Sequence, residues 1–104
     1  MSFDLTNRVA IVTGGAQGLG RACSLELAKA GANIVVVARE PEDVTVGRSR
    51  PHAPVDDVVN EVRALGRQAV GITADVRDQN QVDGMVEQAL REFGTVDILV
   101  NVVG

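Results

Sequence analysis

The sequence predicts an α/β fold, a parallel sheet with helices on both faces. Two observations carry this. Short apolar runs rich in Val and Ile alternate along the chain with segments of helical period, and those runs are continuous rather than alternating polar and apolar. Continuous runs suit strands buried on both faces, and regular β-α alternation suits parallel strands joined by right-handed crossovers. Few topologies remain, and the expected one is strand order 3-2-1-4, with the order reversing between strands 1 and 4.

The elements follow in chain order. Strands are expected over residues 8–13, 33–38, 68–74 and 96–103. The first helix should present Leu19, Ala22, Cys23, Leu27 and Ala30 on one face, at offsets 0, 3, 4, 8 and 11, with Gly31 closing it. In the second, Val55, Val58, Val59, Val62 and Leu65 share a face. Pro54 suits its first turn, Asp56 and Asp57 suit the positive end of its dipole, and Gly66 ends it. The third carries Val82, Met85, Val86, Ala89, Leu90 and Phe93, opens on an Asp78–Gln81 capping box and stops at Gly94. Gly84 in its interior should cost about 1 kcal/mol relative to Ala.

Composition narrows the class. The 104 residues suffice for about one domain, and 45% apolar content supports a packed core rather than disorder. No apolar run approaches the roughly 18–20 residues of a membrane span, and the amino terminus lacks a basic-then-apolar leader, so a cytoplasmic protein without membrane partners is expected. The lone Cys23 excludes an intrachain disulfide framework and, on an apolar helical stripe, reads as a core thiol. A net charge of −4, with two Phe and no Trp or Tyr, argues against a nucleic-acid partner. His52 stands alone, and no Cys, His and acidic residues have metal-ligand spacing.

Residues 40–53 break the regular pattern. This connection spans 14 residues where about 2–6 are usual, with Pro41, Pro51 and Pro54 in or beside it and Arg48 and Arg50 within it. It is either a binding loop or an excursion.

Four glycines, Gly14, Gly15, Gly18 and Gly20, crowd the turn from the first strand into the first helix. The opening N–H groups of a helix lack intrahelical partners, and its dipole favours an anion there. Glycines let backbone approach a bound diphosphate and let strand and helix pack closely. A tight turn without a ligand is the alternative. A Walker loop is excluded, because no Lys-Ser or Lys-Thr follows.

Thr13-Gly14-x-x-x-Gly18-x-Gly20 resembles the Thr-Gly-x-x-x-Gly-x-Gly motif of the short-chain dehydrogenase/reductase family. The likeness runs the length of the chain: Ala74-Asp75-Val76 follows the third strand, and Asp97-Ile98-Leu99-Val100-Asn101 is similar to that family's fourth strand. The resemblance implies a Rossmann-type sheet with Gly14, Gln17, Gly18, Leu19 and Gly20 along the diphosphate and ribose of a nicotinamide dinucleotide. Asp75 would accept from the adenine amino group, Val76 would pack on the ring, and Asn101, Val102 and Gly104 would border the cofactor. For Asp75, a solvated loop carboxylate is the alternative. The family's Asn-Asn-Ala-Gly reads Asn101-Val102-Val103-Gly104 here, which removes an amide and adds bulk near the nicotinamide ribose.

Cofactor choice is set at the end of the second strand. The position of the family's NAD-type aspartate holds Ala38, and Arg39 follows where NADP-preferring members carry a basic residue. NADP is therefore expected over NAD. Gln17 in place of a second basic residue, and the neighbouring Glu40, work against that preference, and a solvated Arg39 is the alternative.

The family's reaction needs a Tyr-x-x-x-Lys pair and a serine beyond the fourth strand, and this chain has no tyrosine. The resemblance thus implies an incomplete cofactor-binding domain over residues 1–104, without catalytic residues and inactive alone. The longer enzyme would act on a carbonyl or alcohol and form a homo-oligomer. A stand-alone nucleotide-binding or dimerising module is the second reading. A methyltransferase fits less well, since such enzymes keep an acid where Ala38-Arg39 stands.

Overall fold

The computed structural model describes residues 4–15, 18–38 and 54–102. The order is β1 (Val9–Thr13), α1 (Gly18–Lys29), β2 (Asn33–Ala38), α2 (Pro54–Ala64), β3 (Ala69–Thr73), α3 (Gln79–Phe93) and β4 (Ile98–Asn101). The four strands form one parallel sheet in the order β3-β2-β1-β4, as the alternation predicts.

Side chains alternate across the sheet and build two cores. Ala10, Val12, Ile34 and Val36 face one side, where they meet Ala28 of α1 and Val55, Val58, Val59 and Val62 of α2. Val9, Ile11, Val35 and Val37 face the other, against Met85 and Ala89 of α3. β1 is buried throughout and β2 nearly so, which is why both read as unbroken apolar runs. β3 and β4 lie at the edges and alternate in burial, so the expectation of strands buried on both faces holds for the central pair only. The edge strands are also shorter than the apolar runs that encode them, because ladder pairing stops where β2 and β1 end.

Each helix packs on a narrower or rotated stripe than hydropathy suggests. On α1 the buried line is Gly20, Ser24 and Ala28, while Leu19 is 69% exposed and Ala22 is also outside the core. The counting of apolar offsets overlooked this line because Gly and Ser carry no hydrophobic signal. Cys23 and Leu27 flank it, half-buried against the α1–α2 core. Leu65 falls beyond the last turn of α2 and is exposed. On α3, Val86 and Leu90 lie outside the Met85–Ala89 line and are exposed.

Asp78 caps α3 by accepting from Asn80 N at 2.9 Å, and Gly94 closes the helix in the left-handed region at φ 80°. The expected reciprocal box does not form. Gln81 turns its amide oxygen to Asp75 N at 2.7 Å instead of to the cap's own N–H.

At the lower end of the sheet, Asp97 pins the register of β4 on β1. Its Oδ2 accepts from Val9 N at 2.9 Å, its own N donates to Val9 O at 2.9 Å, and Arg8 approaches Oδ1 at 3.6 Å.

Candidate functional site

All four strands run in one direction, so the loops after β1, β3 and β4 open at the same edge of the sheet. The order reverses between β1 and β4, since the chain leaves β1 for β2 on one side and returns to its other side with β4. Crevices at such a reversal are where open α/β sheets bind ligands.

The glycine turn lies at that reversal. Gly14 has φ +67°, and a Cβ there would stand 2.7 Å from Val102 O. A Cβ on Gly20 would stand 1.8 Å from Gly14 O, well inside any tolerated contact. These two positions therefore require glycine, and their spacing lets the first turn of α1 rest directly on the end of β1. Ser24 locks the arrangement from below: fully buried, it donates Oγ to Gly20 O at 2.9 Å. Gly18 differs, since nothing lies within 4 Å of the direction its Cβ would take. Together with the exposed Leu19, it presents open space at the mouth of α1.

Beside the turn, Thr13 is 4% exposed and donates Oγ1 to Asn101 Oδ1 at 2.7 Å. Val102 N donates to Thr13 O at 3.2 Å and extends the β1–β4 ladder by one bond. Gly14, Asn101 and Val102 are thus brought together at the edge of the sheet.

Asp75 and Val76 follow β3 at the same edge. Ala74 N donates to Ala38 O at 3.0 Å, which holds the turn against the end of β2. Arg77 N donates to Asp75 Oδ1 at 2.9 Å, and its guanidinium grips both carboxylate oxygens, with Nε at 3.0 Å from Oδ1 and Nη2 at 2.8 Å from Oδ2. Val76 is 45% exposed, an apolar side chain facing outward beside that carboxylate. Gln17, Arg39 and Gly104 lie outside the described residues, as do Arg48, Arg50 and His52 of the long connection.

Sequence reasoning missed three residues here. Ser24 hid because a buried serine on a helix leaves no hydropathy mark. Gln81 was read as half of a capping box. Arg77 carried one usable signal, its place two residues after Asp75 in a turn where a side chain folds back on its neighbour.

A surface depression of about 290 Å³, bordered by Arg63, Arg67 and Phe93, lies at the opposite edge by the start of β3 and holds none of these residues. Among the described residues no helix is long and apolar enough to cross a membrane.

The arrangement is a close-packed glycine turn that leaves the mouth of α1 open, with an outward-facing apolar side chain and a carboxylate at one side. Its likeness to known proteins is consistent throughout. Residues 8–104 match the sequence profile of the short chain dehydrogenases. The chain is 39% identical over 97 residues to hydroxynaphthalene reductase-like protein Arp2 of Metarhizium robertsii, covering 93% of this chain and 33% of that one. It is 39% identical over 103 residues to versicolorin reductase 1 of Dothistroma septosporum, covering 99% and 35%. It is 39% identical over 99 residues to the short-chain dehydrogenase/reductase homolog YusS of Bacillus subtilis, covering 95% and 82%. The fold superposes on the crystal structure of a hydroxysteroid dehydrogenase from Escherichia coli with TM-score 0.82 at 30% identity, over 97% of this chain and 38% of that one. The chain thus spans about a third of the length of the two fungal reductases and most of the length of the bacterial homolog. Motif, topology and sequence agree: this chain belongs to the short-chain dehydrogenase/reductase family of NAD(P)-binding oxidoreductases.

Proposed function

We propose that the chain is the NADP-binding part of an oxidoreductase whose whole form moves a hydride between the nicotinamide and a carbonyl or alcohol. The observation that carries this reading is the approach of Gly20 to Gly14 O, where a Cβ would fall at 1.8 Å. That approach delivers the open mouth of α1 to the reversal point of the sheet, where its backbone N–H groups meet a diphosphate. The nicotinamide supplies the hydride chemistry when bound. The chain's own residues bind and orient: Gly14, Gln17, Gly18, Leu19 and Gly20 along the diphosphate and ribose, Asp75 and Val76 at the adenine, and Asn101, Val102 and Gly104 beside the nicotinamide ribose. The preference for NADP rests on Ala38 and Arg39, a cation in place of the acid that would bind the ribose hydroxyls of NAD. The 104 residues hold no tyrosine, so they carry binding without the proton-transferring residue of the family and are inactive alone. On this reading they form one cofactor-binding domain that continues in a longer, homo-oligomeric cytoplasmic enzyme.

Titration of the chain with NADPH and NADH, followed by nicotinamide fluorescence, tests this. NADPH should bind about ten- to a hundredfold tighter, the worth of one charge-assisted bond to the 2′-phosphate, and Arg39→Ala should abolish the difference. Absence of binding by either dinucleotide at millimolar concentration overturns the reading. Equal affinities overturn the NADP preference alone.

One comparison favours a second reading, a stand-alone nucleotide-binding or dimerising module. The bacterial homolog is itself covered to 82% by this chain, so a comparably short chain occurs among its relatives. A soluble, monodisperse 104-residue product from a gene with a stop codon after Gly104 favours the module. An in-frame Ser and Tyr-x-x-x-Lys beyond it favours the enzyme.

A further inference from the structure

We propose that Arg77 is a positioning residue for the adenine end of the dinucleotide, its guanidinium holding the Asp75 carboxylate in the orientation that accepts from the adenine amino group. The inference rests on the dinucleotide reading above and adds a residue to it.

Asp75 is held from three directions. Arg77 Nε and Nη2 grip its two oxygens at 3.0 and 2.8 Å, with Nε also 3.3 Å from Oδ2. The backbone N of Arg77 donates to Oδ1 at 2.9 Å and closes a two-residue turn. The backbone N of Asp75 itself donates to Gln81 Oε1 at 2.7 Å. Gln81 in turn donates Nε2 to Asp78 Oδ2 at 3.3 Å, and Asp78 is the cap of α3. The loop after β3 is thereby tied to the start of α3, and the carboxylate of Asp75 is fixed in both torsions.

Such a network does little for stability at this place. The Arg77 side chain is 65% exposed and that of Asp75 27%, and an exposed ion pair contributes little to folding. Its effect falls on recognition. A free aspartate pays rotamer entropy when it meets a ligand, whereas one already clamped does not. The fork is specific to arginine, because a lysine ammonium is a point charge and imposes no plane on the carboxylate. A clamped acceptor also discriminates. A purine with an amino group at position 6 donates to it, while one with a carbonyl there sets oxygen against oxygen, an unpaired contact that a preorganised site rejects strongly.

The test compares NADPH with its hypoxanthine analogue, which carries a carbonyl in place of the amino group and a proton on the adjacent N1. Each is titrated by nicotinamide fluorescence into the 104-residue chain and into Arg77→Leu and Arg77→Lys, with thermal unfolding recorded in parallel. The wild-type chain should prefer the adenine form by about tenfold or more. Arg77→Leu should bring the two affinities within about threefold of one another while Tm stays within a few degrees. Arg77→Lys should restore little of the preference. If the wild-type chain binds neither dinucleotide at millimolar concentration, the dinucleotide reading falls and this inference with it. If it binds both forms equally, or if Arg77→Leu keeps the wild-type ratio, only the role of Arg77 is overturned. A parallel loss of both affinities together with a fall in Tm overturns it too, since that is the mark of a merely structural residue.

Discussion

Thr13 and Asn101 join the ends of β1 and β4 through a side-chain bond, Oγ1 to Oδ1 at 2.7 Å, with Val100 O a longer second acceptor at 3.4 Å, one residue before the glycine turn begins. The hydroxyl is buried while Asn101 is exposed, so its loss removes one hydrogen bond but leaves an oxygen that water can reach. Thr13→Val, nearly the same shape, should destabilise the chain by about 0.5–1.5 kcal/mol in urea unfolding. Thr13→Ser should cost less, since it keeps the donor. Equal stability of Thr13→Val and wild type would show that the bond carries no weight.

The contact between α1 and the end of β1 admits no side chain at Gly20. Gly20→Ala places a methyl 1.8 Å from Gly14 O, where backbone and not a flexible side chain must yield. The expected cost exceeds about 3 kcal/mol, with dinucleotide binding lost together with the fold. The measurement is urea unfolding monitored by far-UV circular dichroism, and a cost below about 1 kcal/mol would refute the close approach.

Gly84 is the opposite case. It lies in the interior of α3, and a Cβ there meets nothing within 4 Å. Gly84→Ala should raise stability by about 0.5–1 kcal/mol through the lower entropy of the unfolded chain, visible as a higher urea midpoint at unchanged slope. A lower midpoint would refute this.

Arg21 of α1 and Glu61 of α2 give the molecule a pH-dependent link between helices. Arg21 Nε donates to Glu61 Oε1 at 2.9 Å, and Nη2 contacts Oε2. The hydrogen bond from Arg21 holds the Glu61 carboxyl below its ordinary value of 4.5, aided by charge attraction and opposed by desolvation. A carboxyl lowered in the folded state stabilises it above the ordinary value, and that contribution is lost as pH falls through the folded one. Wild type should therefore exceed Glu61→Gln in Tm at pH 7 by no more than a few degrees. The gap should narrow as pH falls below 4.5 and shrink in high salt. A gap that does not narrow below pH 4.5 would assign it to packing instead.

The central strands were legible in the sequence because β1 and β2 are buried on both faces and so spell themselves as unbroken Val and Ile runs. The strand order followed from alternation and handedness. The packing of α1 was not legible. Its contact line consists of Gly20, Ser24 and Ala28, chosen for smallness, and hydropathy points instead to Leu19 and Ala22, which are exposed. Val86 and Leu90 misled for the reverse reason: they are apolar at helical spacing, yet lie outside the line of α3 that packs on the sheet. At the site, the glycines announced themselves because backbone approach tolerates no other residue at Gly14 or Gly20. The hold of Arg77 on Asp75 depends on the torsions of a two-residue turn, which residue types alone do not specify.

The placement of β1 in the middle of the sheet has a consequence for synthesis. Its partner on one side, β2, begins at Asn33, but the bond that seats Asp97 against Val9 on the other side spans 88 residues. On a ribosome adding about 5–20 residues per second, the outer rim of β1 waits several seconds for its second neighbour. During that interval the most water-averse strand of the molecule has one bare flank, and whatever shelters nascent chains must guard that flank until Ile98–Asn101 has emerged.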